Sequence, residues 1–242
     1  MIKIVQNNIR CLTVAVAFLA TLCVLAASRT TSHPDFQSIK TETLNPSSQY
    51  YYPRLLKSFL SNDTTMTPDE YHYFYYGAMF QEDYNPYRPD PYAADLKATE
   101  PLYNRYGTLS RSEKTQIQKL AEKELASNPL NLTQLRQLVY AYNQLGKQNL
   151  AKIWTHKLNN LLLTITSSGT GADMEHAFVI VYPSHEFEFF NLSGATVENQ
   201  EFKPPYYELA TVRPPGGSDT KQYWFDLHHI LEQYYAKHPG ER

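Results

Sequence analysis

The chain has 242 residues, of which 42% are hydrophobic and 19% are charged, and its formal net charge is −2 at pH 7. A mildly acidic chain without a basic run lacks the electrostatic footprint of nucleic-acid binding, so we expect no nucleic-acid partner. Both cysteines fall within residues 1–28. Removal of that segment would leave no disulfide and no thiolate chemistry.

Residues 1–28 have the layout of a secretory signal peptide. Lys3 and Arg10 precede an uncharged apolar run at residues 11–27, which ends in small side chains that a signal peptidase accepts. We therefore predict cleavage near residue 28, a periplasmic or secreted location, and no membrane span after cleavage. A retained anchor is the alternative, since a bilayer core needs about 20 apolar helical residues. Lipid attachment at Cys23 is disfavoured by the large side chain before it.

The first elements predicted in chain order are helices. Apolar spacing predicts helices at residues 36–44, 54–61 and 71–80. The third is preceded by Thr67-Pro68-Asp69-Glu70, which combines an N-cap threonine, a proline at N1 and a capping-box glutamate. Residues 81–101 are rich in proline and tyrosine, so we predict irregular structure there.

Three further helices are predicted at residues 111–127, 132–145 and 150–166. A second capping box, Ser110 with Glu113, begins the first of them. The last two resemble a single tetratricopeptide-type hairpin, because large, aromatic, glycine and small residues fall near the places where that repeat uses them. These residues are Leu135, Leu138, Tyr142, Gly146 and Ala151.

Strand patterns begin after residue 170. Residues 177–182, 206–212 and 222–225 are predicted as strands, residues 186–192 as helix or strand, and residues 227–236 as a closing helix. Helices first and strands later predict an α+β fold. We expect a helical part at residues 29–170 and a small α+β part at residues 171–242, packed on it as one unit.

Several segments, in this order, resemble one known family. They include Tyr50-Tyr51-Tyr52-Pro53-Arg54-Leu55-Leu56, Tyr84-Asn85-Pro86-Tyr87, Asn128-Pro129-Leu130-Asn131 and Ile165-Thr166-Ser167-Ser168-Gly169-Thr170-Gly171. Together they are similar to the exported family called domain of unknown function 4919, typical of Bacteroidetes. The resemblance covers nearly the whole chain after the leader. It implies an exported protein, and it assigns no activity and no functional residue.

Tyrosine is overused, and 12 of the 20 tyrosines lie between residues 50 and 106. Tyrosine joins a flat apolar ring to a hydroxyl, which suits both a core and a contact surface. The i, i+3, i+4 spacing of Tyr71, Phe74 and Tyr75 favours a core. Tyr73 and Tyr76 fall elsewhere on the helix, so we expect some of these rings to be partly exposed.

The loop that follows is the predicted binding surface. Its candidate contact residues are Tyr84, Tyr87, Arg88 and Tyr92, and its expected partner is a protein or a glycan. In the preceding loop, Asp63-Thr64-Thr65 resembles a short O-glycosylation motif of exported Bacteroidetes proteins, which makes Thr64 a candidate modification site.

No pattern of catalysis, metal binding or cofactor binding stands out. His228 and His229 are adjacent and point about 100° apart on a helix, and Glu232 at i+4 from His228 supplies only a second ligand. Gly169-Thr170-Gly171 follows a helix instead of a strand, unlike a dinucleotide loop. We therefore expect no metal, no cofactor and no catalytic residue that the sequence can identify.

Three functions stay open. The first is a non-enzymatic interaction or scaffold protein of the bacterial envelope. The second is a glycan- or peptide-binding protein that uses tyrosine rings. The third is a hydrolase whose carboxylates, such as Asp69, Glu70 and Asp83, are assembled by the fold. A flat tyrosine patch would favour protein contact, whereas a cleft with two facing carboxylates would favour the enzyme.

Overall fold

A computed structural model describes residues 31–103, 105 and 107–241, so the predicted leader lies outside the described residues. The described chain divides into two compact units. One comprises residues 36–161, and the other comprises residues 162–241 together with residues 31–35. Helices dominate the first unit and a four-stranded sheet lies in the second, which confirms the predicted α+β fold.

The first unit begins with three helices that share an aromatic core. They are α1 (Phe36–Leu44), α2 (Tyr52–Leu60) and α3 (Pro68–Gly77), which continues into a 3-10 turn at Ala78–Phe80. Phe59 of α2 stacks on Phe74 of α3 with 4.6 Å between ring centroids. Tyr71, Tyr75 and Tyr76 are no more than 1% exposed. Of the two rings off the core stripe, Tyr73 is partly exposed as expected. Tyr76 is buried, and the ring of Phe36 packs edge-on against it at 5.8 Å.

Four helices follow: α4 (Ala93–Tyr103), α5 (Arg111–Ser127), α6 (Leu132–Gln144) and α7 (Gln148–Ser167). Both predicted capping boxes are present, at the start of α3 and of α5. The prediction of irregular structure at residues 81–101 was wrong for its last part, because Ala93–Tyr103 form helix α4. It forms despite Pro101 in its last turn, since it packs against α5 and buries Thr99, whose hydroxyl donates to the Leu96 carbonyl at 2.9 Å.

The second unit is built on a sheet with the strand order β1-β4-β3-β2. The strands are β1 (Phe178–Val179), β2 (Thr196–Lys203), β3 (Tyr207–Arg213) and β4 (Lys221–Asp226), and the helices are α8 (Ser184–Leu192) and α9 (His228–Lys237). β1 runs parallel to β4 and the other pairs are antiparallel. β1 is shorter than the predicted strand at residues 177–182. β2, an exposed edge strand rich in polar residues, was not predicted.

One face of this sheet is covered by α8. Phe190 of α8 packs against Tyr223 and Phe225 of β4, with ring centroids 5.0 and 5.8 Å apart. Residues 186–192, for which both helix and strand were predicted, therefore lie in a helix. Among the described residues, no helix is both long enough and apolar enough to cross a membrane.

Candidate functional site

An open cleft of about 580 Å³ lies in the second unit, between the start of β3 and one face of α9. Its lining residues are Pro205, Tyr206, His228, Leu231, Glu232, Tyr235 and Ala236. The volume lies in the range of small-molecule binding sites. Four of these residues follow the i, i+3, i+4, i+7 spacing along α9, so they share one side of the helix.

Tyr206 is brought to α9 by the backbone. The Leu227 N–H donates to the Tyr206 carbonyl at 2.9 Å, which joins the residue before β3 to the residue before α9. The Tyr206 ring then stacks on the imidazole of His228, with 4.4 Å between centroids and 25° between planes. The two stacked rings cover one face of each other and together form one wall of the cleft.

Asp226, the last residue of β4, fixes the start of α9. Its Oδ1 accepts the N–H of His228 at 2.7 Å, and its Oδ2 lies 3.6 Å from Nε2 of His33. Burial opposes the charged form of Asp226, but the contact with His33 and the hydrogen bond from the His228 N–H outweigh it and hold the pKa below its ordinary value. The contact with Asp226 raises the pKa of His33.

Glu232 supplies the carboxylate of the cleft. Its side chain is 54% exposed, and Oε2 lies 2.9 Å from Nδ1 of His229. Burial lowers the pKa of His229 despite this carboxylate, so the ring is neutral at pH 7. Glu232 is the only carboxylate among the described lining residues, and none of them is a serine, threonine, cysteine or lysine. The cleft therefore offers stacking and hydrogen bonding, and its lining residues include neither a carboxylate pair nor a serine, threonine, cysteine or lysine nucleophile.

A carboxyl pair does occur in this unit, but it is buried. Glu186 of α8 is 0% exposed, and its Oε2 accepts the side-chain N–H of Gln200 on β2 at 3.0 Å. Burial, the charge of Glu208 and the hydrogen bond with it raise the pKa of Glu186 to about 8. Burial also raises the pKa of Glu208, whereas its bond with Glu186 lowers that pKa. The proton that the two carboxyl groups share is therefore held by Glu186. Substrate cannot reach Glu186, which makes the pair structural.

The predicted contact residues do not form a common tyrosine surface. Tyr84 is 4% exposed, and its ring belongs to the core. Tyr87 is 48% exposed, and Arg88 donates a hydrogen bond to the Asp83 carbonyl. The Tyr92 ring lies 4.1 Å from Nζ of Lys123, which covers it. Of the four, Tyr87 and Arg88 reach solvent freely.

Two other predicted groups can be located. Thr64 is exposed in the loop between α2 and α3, where the Asp63 carboxylate accepts the N–H of Thr65 at 3.1 Å. Glu70, named for a hydrolase, closes the capping box by accepting the Thr67 N–H at 2.7 Å. Its carboxylate is thereby engaged at the helix terminus.

The cleft residues were missed by sequence reasoning, which examined His228 and Glu232 only as metal ligands. The available signal was the helical spacing of His228, Glu232 and Tyr235 in a chain with surplus tyrosine. Tyr206 could not be added from the sequence, because its position depends on the pairing of β3 with β4.

Comparison with protein families gives one match. The family described as Domain of unknown function (DUF4919) matches residues 37–236. No curated protein and no solved structure matches the chain.

Proposed function

Because the chain belongs to the DUF4919 family, whose description assigns no activity, we propose a function from its own residues: an exported, non-enzymatic protein of the bacterial envelope that binds a glycan. The cleft at Tyr206, His228 and Tyr235 supports this proposal. A concave site with aromatic walls favours a small ligand over the flat contact expected of a scaffold protein.

The chemistry of the lining favours sugar over peptide. A sugar ring presents C–H groups on one face and hydroxyls at its edge. The stacked rings of Tyr206 and His228 match the C–H face of the sugar. The exposed carboxylate of Glu232 accepts hydrogen bonds from the hydroxyls at its edge. A peptide bound as an added strand would need a strand edge, and a helical peptide would need a deep apolar groove. An extended proline-rich peptide is the peptide ligand that a peptide array must test.

Export and a periplasmic or secreted location are part of the proposal and rest on the leader pattern of residues 1–28. A Bacteroidetes origin is also part of it and rests on the family resemblance. The mass of the intact protein from its native envelope fraction tests export. A mass that matches cleavage near residue 28 supports it, and an uncleaved or lipid-bearing mass refutes it.

A kinship of α6 and α7 with tetratricopeptide hairpins is likewise a proposal, supported by the burial of Leu135, Leu138 and Ala151.

An immobilised array of neutral bacterial and plant oligosaccharides, with a peptide array beside it, tests the ligand class. We expect the protein to bind a subset of the sugars, and the Tyr235→Ala variant to lose at least about tenfold in affinity, since truncated aromatic hot spots cost about 2 kcal/mol. Tyr87→Ala is the matched control, because Tyr87 is exposed outside the cleft. Binding to peptides alone, or equal binding by both variants, would refute the proposal.

A further inference from the structure

An open groove of about 690 Å³ lies between α4 and α5 in the first unit. From α5 it is lined at four-residue intervals by Arg111, Thr115, Lys119 and Lys123, and from α4 it is lined by Asp95 among others. Residues four positions apart lie on the same side of a helix. The groove therefore follows the axis of α5 for about 18 Å, at 1.5 Å per residue.

Positive charge dominates the lining of this groove. Arg111, Lys119 and Lys123 are exposed cations, and Asp95 is the one acidic residue among the described lining residues. Asp95 pairs with Lys123 at 3.4 Å, and the same ammonium lies 4.1 Å from the centre of the Tyr92 ring. In the part of the chain that the structure describes, neither Arg111 nor Lys119 forms an ion pair. The groove thus keeps two unbalanced cations in a chain whose net charge is −2.

The acidic residues of α5 do not offset these cations, because each of them is engaged elsewhere. Glu113 pairs with Arg105 at 2.8 Å. Glu122 accepts the hydroxyl of Tyr142 on α6 at 2.8 Å, and Glu124 is only 2% exposed. None of these three glutamates lines the groove. Helix α5 therefore presents cations to the groove and uses its carboxylates outside it, which makes the groove complementary to an anionic ligand.

We propose that this groove binds a linear acidic oligosaccharide, whose carboxylates pair with Arg111 and Lys119. The two residues are eight positions apart, so their backbones are separated by about 12 Å along α5. That spacing suits anionic groups repeated along a chain better than one compact anion such as phosphate. Ser112, Thr115 and Gln116 line the groove between the two cations. Their hydroxyl and amide groups both donate and accept hydrogen bonds, as sugar hydroxyls do.

The groove is separate from the cleft in the second unit. It lies within residues 36–161 and shares no residue with the cleft. The charge of the two sites also differs, since the carboxylate of Glu232 repels acidic sugars whereas Arg111 and Lys119 attract them. The groove therefore adds a second class of sugar to the proposed function, and either site can fail without the other.

Isothermal titration calorimetry of the leader-free chain at about 50 mM NaCl tests the groove, at a salt concentration that screens exposed charges little. The probes are hexamers of galacturonic acid and of mannuronic acid and a hyaluronan hexasaccharide, and we expect at least one to bind. The double variant Arg111→Gln, Lys119→Gln should bind it about tenfold more weakly, because each exposed ion pair contributes up to about fivefold in affinity. The matched control is Arg136→Gln with Lys152→Gln, which removes two exposed cations outside the groove and should bind as the parent protein does.

Two further measurements identify the chemistry of the ligand. The methyl ester of the bound sugar keeps its shape without its charge and should not bind the groove. Tyr235→Ala should bind the acidic sugar as the parent protein does, which separates the groove from the cleft. No binding of any of the three acids, equal binding of the ester, or equal losses in both double variants would overturn the proposal. Octaglutamate that binds as tightly as the sugar, or equimolar phosphate that displaces the sugar, would overturn it too, since the groove would then bind acidic peptides or a compact anion.

Discussion

Replacement of Glu186 by glutamine should remove a specific part of the pH dependence of stability. Glu186 faces Glu208 on β3 and Gln200 on β2, and its pKa is raised from 4.5 to about 8. The unfolded chain loses this proton near pH 4.5 and the folded chain keeps it until about pH 8. The stability that the protonated form contributes is therefore fully present below pH 4.5 and is lost as the pH rises through 8.

The size of this loss follows from the two pKa values. One proton that only the folded state holds changes the free energy of unfolding by about 1.4 kcal/mol per pH unit. Between pH 5.5 and 7.5 the parent protein should lose about 2.5 kcal/mol through Glu186. This loss of stability is an upper bound, because Glu208 takes up part of the proton when Glu186 releases it.

Urea unfolding curves at pH 5.5, 6.5 and 7.5 measure the effect. Glutamine resembles the protonated acid, so Glu186→Gln should match the parent protein only below pH 4.5. Its excess stability over the parent should grow by up to about 2.5 kcal/mol between pH 5.5 and 7.5. Glu201→Gln is the control, because Glu201 is exposed on β2, and it should follow the parent curve. An equal slope in the parent protein and in Glu186→Gln would refute the shared proton.

Three further substitutions test the packing, each by urea unfolding at pH 7. Lys157→Met should cost about 3 kcal/mol, because the buried ammonium of Lys157 donates to two backbone carbonyls at the end of α2 that would be left unpaired. Thr67→Ala should cost about 1 kcal/mol through the lost capping box of α3; no change would mean that the cap is redundant. Gly171→Ala should cost at least about 2 kcal/mol, because Gly171 has a φ of +70° and an added Cβ would meet a ring atom at 2.6 Å. Gly240→Ala, with open space around it, should be neutral.

The helical elements were predictable where local signals agree. The capping boxes at Thr67 and Ser110 mark the starts of α3 and α5 correctly, because a cap involves only four consecutive residues. Helix α4 was missed because Pro91 and Pro101 at its ends argue against a helix locally. Its packing against α5 outweighs that signal.

The sheet was predictable in part. β3 and β4 carry apolar residues and were found, whereas β2 has the sequence of a polar loop. An edge strand needs few apolar side chains, because one side of it faces solvent. Its pairing with β3, from Thr196 opposite Arg213 to Lys203 opposite Tyr207, is a long-range property.

The proposed cleft could not be assembled from the sequence. It needs the segment before β3 to meet α9, which the hydrogen bond from the Leu227 N–H to the Tyr206 carbonyl brings about. The predicted tyrosine loop was partly misjudged, because Tyr84 is needed in the core. Spacing along the chain cannot tell a buried tyrosine from an exposed one when the loop is irregular.

The central claim is that a glycan binds between Tyr206 and Tyr235. Its most direct test is an NMR titration of the isotopically labelled, leader-free chain with defined neutral hexasaccharides, namely cello-, malto-, xylo- and mannohexaose. We predict that at least one of them shifts the signals of Tyr206, His228 and Tyr235 together, and that these shifts vanish in Tyr235→Ala. Shifts confined to Tyr87 and its loop, or no shift with any of the four sugars, would contradict the account.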